Sequence, residues 1–350
     1  MLFDMTNRTI LLAMMSLLLI LGSAWAQNEV TDLEFGDSPL SDVDAFRTLQ
    51  SIVKVADGLY LMTHYGEREG LFRRENQELI DNPFIDDRTR YCSVFSAAAG
   101  KSVIVGRNWD NETVGSIVVS LFRPPSGYSS ISFSRAIDLG FGKSIDLEEI
   151  SSLEIGKRLL LAPFYAMDGM NEHGITVAVT ANDEIVVEPV GAKESVFLTF
   201  LIRKILDHTK NIEEAVSLAD ECIPFDYNVN SFNSHLFVAD SSGRSVVLEY
   251  AEGQWRKTYG DESWQVMSTK PIYNVPDADL REKCGRYRSM SETLENADGN
   301  VDWKGGMNIL QNVAQKGTTW SIVYSPATGE LHFSAYQDWE TVYRLSLRSR

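Results

Sequence analysis

The sequence has little positive charge, few cysteines and few histidines, and each scarcity argues against a class of function. Its 49 acidic residues outnumber its 32 basic residues, and the formal net charge is -17. A chain with this balance repels a phosphate backbone, so nucleic acid is not expected as a partner. The five histidines and three cysteines are scattered, without His-x-x-x-His or Cys-x-x-Cys spacing. We therefore predict no metal site and no cofactor.

Long apolar runs are also scarce, and the clearest one lies at the N-terminus. Arg8 precedes an apolar stretch from Ile10 to Leu21, and Ala24-Trp25-Ala26 then matches the small-x-small pattern that signal peptidase reads. This pattern predicts a signal peptide over residues 1–26 and export to the periplasm or the cell exterior. A membrane anchor is the alternative, but the stretch is short for a bilayer. No later segment is apolar enough to cross a membrane, so the mature chain is expected to have no membrane span.

Three cysteines leave at least one unpaired thiol in an exported chain. A disulfide between Cys222 and Cys284 would leave Cys92 free, as a nucleophile requires. The sequence does not decide between this disulfide and three free thiols.

Cys92 lies in the most informative segment of the chain. Two strand-like runs, 92–98 and 101–107, flank Ala99-Gly100, and this spacing predicts a hairpin with a two-residue loop. In that register Cys92 faces Arg107 across the ladder. Asp110 follows just beyond the strand end. A neighbouring guanidinium favours thiolate over thiol, so the pattern indicates an activated nucleophile. A buried, inert cysteine beside a surface arginine is the alternative that spacing leaves open.

Periodicity along the chain predicts mostly strands, with helices between them. Strands are expected around 59–62 and at 92–98, 101–107, 116–122, 174–180, 234–239, 245–250, 320–324 and 330–335. Helices are expected at 71–80, 196–208, 212–219, 286–294 and 307–315. Because the strands group in hairpins rather than in β-α-β units, we predict antiparallel sheets covered by helices.

Four further segments, taken in order along the chain, carry a resemblance to a known family. They lie at 168–175, 235–250, 284–287 and 318–324. With the Cys92 segment, they resemble the choloylglycine hydrolase and penicillin V acylase family, the linear amide C-N hydrolases among the N-terminal nucleophile hydrolases. The resemblance covers roughly residues 59–345. It implies an α+β fold, a four-layer αββα sandwich of two antiparallel sheets flanked by helices. We accordingly assign residues 92–350 to one hydrolase domain and residues 27–91 to a pre-segment.

The resemblance also implies roles for the residues around the thiol. Cys92 matches the nucleophile, exposed as a new N-terminus when the Tyr91-Cys92 bond is cut. Its α-amine would then be the general base, because such an amine titrates near neutral pH. Arg107 matches the cation beside the thiolate. Asp110 matches the carboxylate that orients the α-amine.

Three more positions follow from the resemblance. Asn171 matches a residue whose backbone N-H helps to form the oxyanion hole. Arg286 matches an arginine that faces the cysteine, although Arg288 is close enough to be confused with it. Thr269 is a departure, because the family usually has an asparagine there whose side chain donates to the oxyanion. Losing one such donor costs about 3 kcal/mol in the transition state, unless Thr269 or a nearby asparagine such as Asn233 or Asn274 replaces it.

The predicted function is that of an exported hydrolase, which cleaves a small-molecule N-acyl amide through a thioester on Cys92. An acyltransferase using the same thioester is one alternative. A non-catalytic binding protein on this scaffold is another. The pre-segment 27–91 is expected to be either a propeptide or a retained subunit, and a homo-oligomer is left open.

Overall fold

The computed structural model describes most of the chain beyond residue 41. The described residues are 42–66, 91–99, 102–111, 113–142, 146–147, 156–182, 193–225, 233–260 and 263–348. By its internal contacts the chain divides into two units, 1–34 and 35–350, and every described residue belongs to the second. The predicted signal peptide and the predicted helix at 71–80 lie outside the described residues.

Strands make up most of the regular structure. They are β1 (Val53–Ala56), β2 (Leu59–His64), β3 (Ser93–Ala97), β4 (Ile104–Asp110), β5 (Ile117–Phe122), β6 (Ser130–Arg135), β7 (Asp168–Asn171), β8 (Thr176–Ala181), β9 (Glu194–Phe197), β10 (Cys222–Phe225), β11 (Ser234–Ala239), β12 (Ser245–Ala251), β13 (Gln254–Tyr259), β14 (Trp264–Met267), β15 (Thr318–Ser325), β16 (Glu330–Ala335) and β17 (Tyr343–Ser346).

Helices lie between these strands. They are α1 (Asp42–Gln50), α2 (Leu198–His208), α3 (Ile212–Asp220), α4 (Asp277–Lys283), α5 (Gly285–Asn296) and α6 (Trp303–Asn312), with 3-10 segments at Ala136–Leu139 and Lys157–Tyr165. The start of α3 is capped by Asn211. The Asn211 side chain accepts from the backbone N-H of Glu214, and the Glu214 carboxylate accepts from Lys210 N.

The strands form two large sheets and one small one. A nine-stranded sheet has the order β1-β2-β5-β6-β7-β8-β11-β12-β13, and a six-stranded sheet has the order β14-β3-β4-β15-β16-β17. Helices α2 and α3 contact the nine-stranded sheet, and α5 and α6 contact the six-stranded sheet. This arrangement confirms the predicted α+β class with two main sheets and helices.

Strands β3 and β4 have no solvent-exposed face, although β4 includes the polar residues Arg107, Asn108 and Asp110. Every residue of both strands is buried. A helix layer covers one face of their sheet and the nine-stranded sheet covers the other, so neither face favours polar alternation.

The predicted hairpin of β3 and β4 is present, but its predicted register is wrong. Val94, not Cys92, pairs with Arg107. The connection spans 98–103, longer than two residues, because the first loop residues bond to other segments: Ala98 N donates to Ser263 O and Ala99 N to Gly299 O. The slip is two residues, and an even slip keeps every side chain on its face. Cys92 and Arg107 therefore remain neighbours, along a diagonal of the ladder.

Strands β1 and β2 place part of the pre-segment inside the large sheet. β2 pairs in parallel with β5, from Leu59 opposite Ile117 to His64 opposite Phe122. The Tyr336 hydroxyl donates to Gly58 O at 2.7 Å and so contacts the turn between β1 and β2. Gly58 has φ +72°, and a Cβ there would meet that hydroxyl at 2.6 Å, so the position requires glycine.

The disulfide considered between Cys222 and Cys284 is not formed, and all three cysteines are buried free thiols. Cys284 has another role as the N-cap of α5, where its Sγ accepts from Tyr287 N. Among the described residues, none of the helices is both long enough and apolar enough to span a bilayer.

Candidate active site

A buried ion pair connects the two large sheets at the centre of the molecule. The Arg107 guanidinium, on β4, pairs through Nε with the Asp168 carboxylate on β7, and both side chains are fully buried. The Nη2 group of Arg107 also donates to the carbonyl oxygens of Met167 and Val179, at 3.2 and 2.8 Å. These bonds hold Arg107 rigidly against the nine-stranded sheet.

Asp168 receives two further hydrogen bonds from the six-stranded sheet. Trp320 Nε1 donates to Oδ2 at 3.0 Å, and the Tyr324 hydroxyl donates to Oδ1 at 2.5 Å. Burial raises the pKa of Tyr324 well above its ordinary value, and the charge of Asp168 adds to this effect. The phenol therefore stays protonated as a donor. Burial raises the pKa of Asp168 above its ordinary value, and the charge of Arg107 and the hydrogen bonds from Tyr324 and Trp320 act against this rise.

Cys92 lies immediately before β3, with its thiol beside the Arg107 guanidinium. Burial lowers the pKa of Arg107, but the charges of Asp168 and Cys92 offset this by more, so the pKa lies above its ordinary value. The Cys92 side chain is buried, and its Sγ lies 4.0 Å from the backbone oxygen of Asp110. A permanent cation therefore adjoins the thiol in a site closed to water.

Asp110 is the last residue of β4, and its two carboxylate oxygens differ in their hydrogen bonding. Thr318, its partner on β15, donates to Oδ1 at 2.5 Å. In the part of the chain that the structure describes, Oδ2 has no hydrogen-bond partner. Burial raises the pKa of Asp110 to about 6, against the hydrogen bond from Thr318 and the charges of Arg286 and Arg107.

Arg286 reaches the same site from the first turn of α5. Its Nη1 donates to Cys92 O at 2.6 Å and to Ser93 Oγ at 2.9 Å, and lies 3.8 Å from Asp110 Oδ2. Its Nη2 lies 3.4 Å from the Thr269 hydroxyl. Arg288, two residues further along the helix, is exposed.

The backbone before Thr269 is held by buried polar side chains. Ser268 O accepts from Thr180 Oγ1 at 3.0 Å and lies 2.8 Å from His235 Nε2. The other ring nitrogen of His235 lies 3.1 Å from the Glu249 carboxylate. His235 therefore connects Ser268 O to the Glu249 carboxylate. Ser268 therefore has a fixed position, and so does the residue that follows it.

Asn171 lies outside this cluster, and the role implied for it needs correction. Its backbone N-H donates to Ile175 O at 2.9 Å, so it is not available to an oxyanion. Its side-chain amide donates to Leu206 O and Thr209 O, at 3.0 and 2.7 Å. Asn171 thus stabilises its own turn and the end of α2, about 10 Å along β7 from Asp168.

Three buried charged residues near the site were not assigned roles from the sequence: Asp168, His235 and Glu249. Asp168 and His235 stand in segments that carry the family resemblance, but their partners lie on distant strands. A carboxylate within the predicted strand 245–250 is the signal that could have identified Glu249. No group of three or more potential metal ligands occurs among the described residues.

The arrangement can support nucleophilic chemistry by a thiol. The Arg107 guanidinium lies beside Cys92 Sγ, and the Arg286 guanidinium donates to Cys92 O. Among the described residues, Asp110 Oδ2 has no hydrogen-bond partner and can accept from a new donor. Such charges stabilise a thiolate and a developing oxyanion.

Replacing Asp168 tests the central ion pair. In a Cys92→Ala background, we expect Asp168→Asn to lower the free energy of unfolding by about 3–5 kcal/mol, because it leaves Arg107 buried without a counter-charge. Urea titration measures the change. Glu194→Gln, which removes an exposed pair with Lys204, is the control and should change it by less than about 1 kcal/mol. An Asp168→Asn chain as stable as its parent would contradict the role given to the pair.

The raised pKa of Asp110 predicts a pH dependence of stability. The folded chain binds this proton more tightly than the unfolded chain, so stability falls as pH rises from about 4 to about 6. In the Cys92→Ala background, Asp110→Asn should therefore be more stable than its parent above pH 6, by about 3 kcal/mol at most. The difference should vanish near pH 4. Urea titrations across this range measure it, with Asp57→Asn at a fully exposed side chain as the control. A difference independent of pH would count against the shift.

Comparisons with known proteins place this chain in a family. The family model of the linear amide C-N hydrolases, choloylglycine hydrolase family, matches residues 92–316, more than half of the chain. Among curated proteins, no sequence match is found.

Solved structures of similar fold agree. A variant of conjugated bile acid hydrolase from Clostridium perfringens superposes with a TM-score of 0.55 at 14% identity, covering 73% of this chain and 92% of that one. Penicillin V acylase from Agrobacterium tumefaciens has a TM-score of 0.53 at 17% identity, covering 73% and 86%. These likenesses show a shared fold. The family match over more than half of the chain shows that the chain belongs to the linear amide C-N hydrolases of the choloylglycine hydrolase family.

Proposed function

We propose that the chain hydrolyses an N-acyl amide through a thioester on Cys92, after the Tyr91-Cys92 bond has been cut. One observation carries the proposal: the Cys92 thiol, the Arg107 guanidinium and the Asp110 carboxylate meet in one buried site. The family match supports it, because the match begins at Cys92 itself.

Cutting the Tyr91-Cys92 bond would complete the site by adding a base. A peptide nitrogen cannot accept the thiol proton, whereas a free α-amine titrates near pH 8. Asp110 Oδ2, which lacks a hydrogen-bond partner among the described residues, is the acceptor that such an ammonium group would use. The amine then removes the Sγ proton, and the thiolate attacks the substrate carbonyl. The leaving amine takes that proton, and water hydrolyses the thioester.

Thr269 and Arg286 are the side-chain donors that we assign to the oxyanion. Thr269 is 2% exposed, and its hydroxyl lies 3.4 Å from Arg286 Nη2. Thr269 has a shorter reach than the asparagine implied by the resemblance. The guanidinium supplies a charge that strengthens any hydrogen bond it donates, and this partly offsets the shorter side chain.

The substrate is proposed to have an apolar acyl group on a linear amide. The similar structures are a conjugated bile acid hydrolase and a penicillin V acylase, and both names specify an acyl compound. We propose four classes: bile salt conjugates, penicillin V, N-acyl homoserine lactones and N-acyl amino acids. The predicted signal peptide would place the reaction in the periplasm or outside the cell.

Replacing Cys92 tests the nucleophile. We expect wild type to show Cys92 as a new N-terminus by mass spectrometry and to release amine from one of the four classes. Cys92→Ala should stay uncut and inactive. Cys222→Ala, at another buried free thiol, is the matched control and should keep both properties. Wild type with an intact bond and no thioester would contradict the mechanism.

Two outcomes of the same screen separate the alternatives. Transfer of the acyl group to an added amine, with little free acid, would indicate an acyltransferase. Saturable binding without turnover would indicate a binding protein on this scaffold.

The pre-segment is proposed to remain bound after the cut, because β2 lies between β1 and β5 within the nine-stranded sheet. Leu59, Tyr60 and Met62 of β2 are buried, and their removal would expose the side of β5. We expect two bands on a denaturing gel that co-elute as one species under native conditions. Recovery of an intact native fragment that begins at Cys92, without the smaller one, would contradict this proposal.

A further inference from the structure

In the uncut chain, an arginine side chain donates a hydrogen bond to the carbonyl oxygen of the bond that is to be cut. Arg286 Nη1 donates to Tyr91 O, the carbonyl oxygen of the Tyr91-Cys92 bond. The same nitrogen reaches Cys92 O and Ser93 Oγ, at 2.6 and 2.9 Å. The Arg286 side chain is only 14% exposed, so water competes weakly for these bonds. An oxygen held in this way is positioned to gain negative charge.

The peptide is also fixed from its other side. Tyr91 N donates to Asp110 O at 3.2 Å, which continues the pairing of β3 and β4 by two residues. Cys92 Sγ lies 4.0 Å from that same Asp110 oxygen, beside the Arg107 guanidinium. The thiol and the carbonyl are therefore held at one strand end, with a different arginine next to each.

We propose that Arg286 is a catalytic residue of self-cleavage at Tyr91-Cys92, where it stabilises the oxyanion that forms on Tyr91 O. This inference rests on the proposed function, since it presumes that the bond is cut and that Cys92 is the nucleophile. It adds a second reaction at the same site, in which the chain is its own first substrate.

The step balances with water as the only co-reactant. Cys92 Sγ attacks the Tyr91 carbonyl carbon, and the electron pair of the C=O bond moves to the oxygen bound by Arg286. The thiol proton passes through the Asp110 carboxylate to the Cys92 nitrogen. The C-N bond then breaks, which leaves a thioester between Tyr91 and Cys92 and a free α-amine. Water hydrolyses the thioester, so Tyr91 ends as a carboxylate and the thiol is restored.

Two contacts hold the arginine in the orientation for this step. Nη2 lies 3.4 Å from the Thr269 hydroxyl, and Nη1 lies 3.8 Å from Asp110 Oδ2. Because the guanidinium is planar, engaging both ends directs Nη1 at the carbonyl. Thr269 is thus a positioning residue for the cut. The Thr269 side chain is short, but its hydroxyl lies close enough to Arg286 Nη2 for this role.

The test follows the cut in full-length chain made by cell-free synthesis, with the uncut fraction measured over time. We expect Arg286→Ala to slow the appearance of the Cys92 N-terminus about a hundredfold relative to wild type, as for the loss of one oxyanion donor. Added guanidinium ion should restore part of the rate in Arg286→Ala. Arg288→Ala, on the exposed side of the same helix, should be cut at the wild-type rate with or without guanidinium.

A second variant keeps the inference testable when Arg286→Ala does not fold. Arg286→Gln keeps a polar side chain of similar length and loses the charge, so it should also be cut much more slowly, with a near-native urea midpoint. A wild-type cleavage rate in either folded variant overturns the inference and leaves the processing proposal intact. Failure of wild type itself to cut at Tyr91-Cys92 would instead overturn the processing proposal.

Discussion

The ion pair between Arg107 and Asp168 is the interaction on which the site depends. Its two members belong to opposite sheets, and both are fully buried. An unpaired arginine in that position would cost several kcal/mol, so the cation beside the thiol is stable only when the sheets are stacked. The hydrogen bonds from Trp320 and Tyr324 to Asp168 cross the same interface. Assembly of the core and assembly of the reactive site are therefore one event.

Much of the fold was predictable because strand and helix signals are local. Alternation and β-branched runs located β5, β8, β11, β12 and β16 closely, and the predicted helix at 212–219 matches α3. The register of β3 and β4 was not predictable in this way, because its loop is set by bonds to residues near Ser263 and Gly299 that are far away in sequence. The site survived that error, since a slip of two residues preserves the face of each side chain. The parallel pairing of β2 with β5 also leaves no local pattern.

The residues of the site also differ in whether a local sequence pattern could identify them. Cys92, Arg107 and Asp110 share one hairpin, so spacing was enough to associate them. Arg286 and Thr269 came from the family resemblance, and the structure brings both to the hairpin. Asp168 and the pair of His235 and Glu249 act through partners on other strands, which no local pattern reveals. Asn171 lies in a segment that carries the resemblance, but its hydrogen bonds are structural. Its backbone N-H donates to Ile175 O within its own turn, and its side-chain amide donates to Leu206 O.

The parallel pairing of β2 with β5 affects how the protein can refold after the proposed cut. In the intact chain, these strands meet in a unimolecular step, whose entropic cost grows only slowly with the length of chain between them. Under the proposed processing, the cut falls between β2 and β5, just before β3. The same pairing then becomes a bimolecular association, and its extent depends on protein concentration. The processed protein would refold poorly when dilute, so its persistence would rest on slow unfolding rather than on repeated refolding.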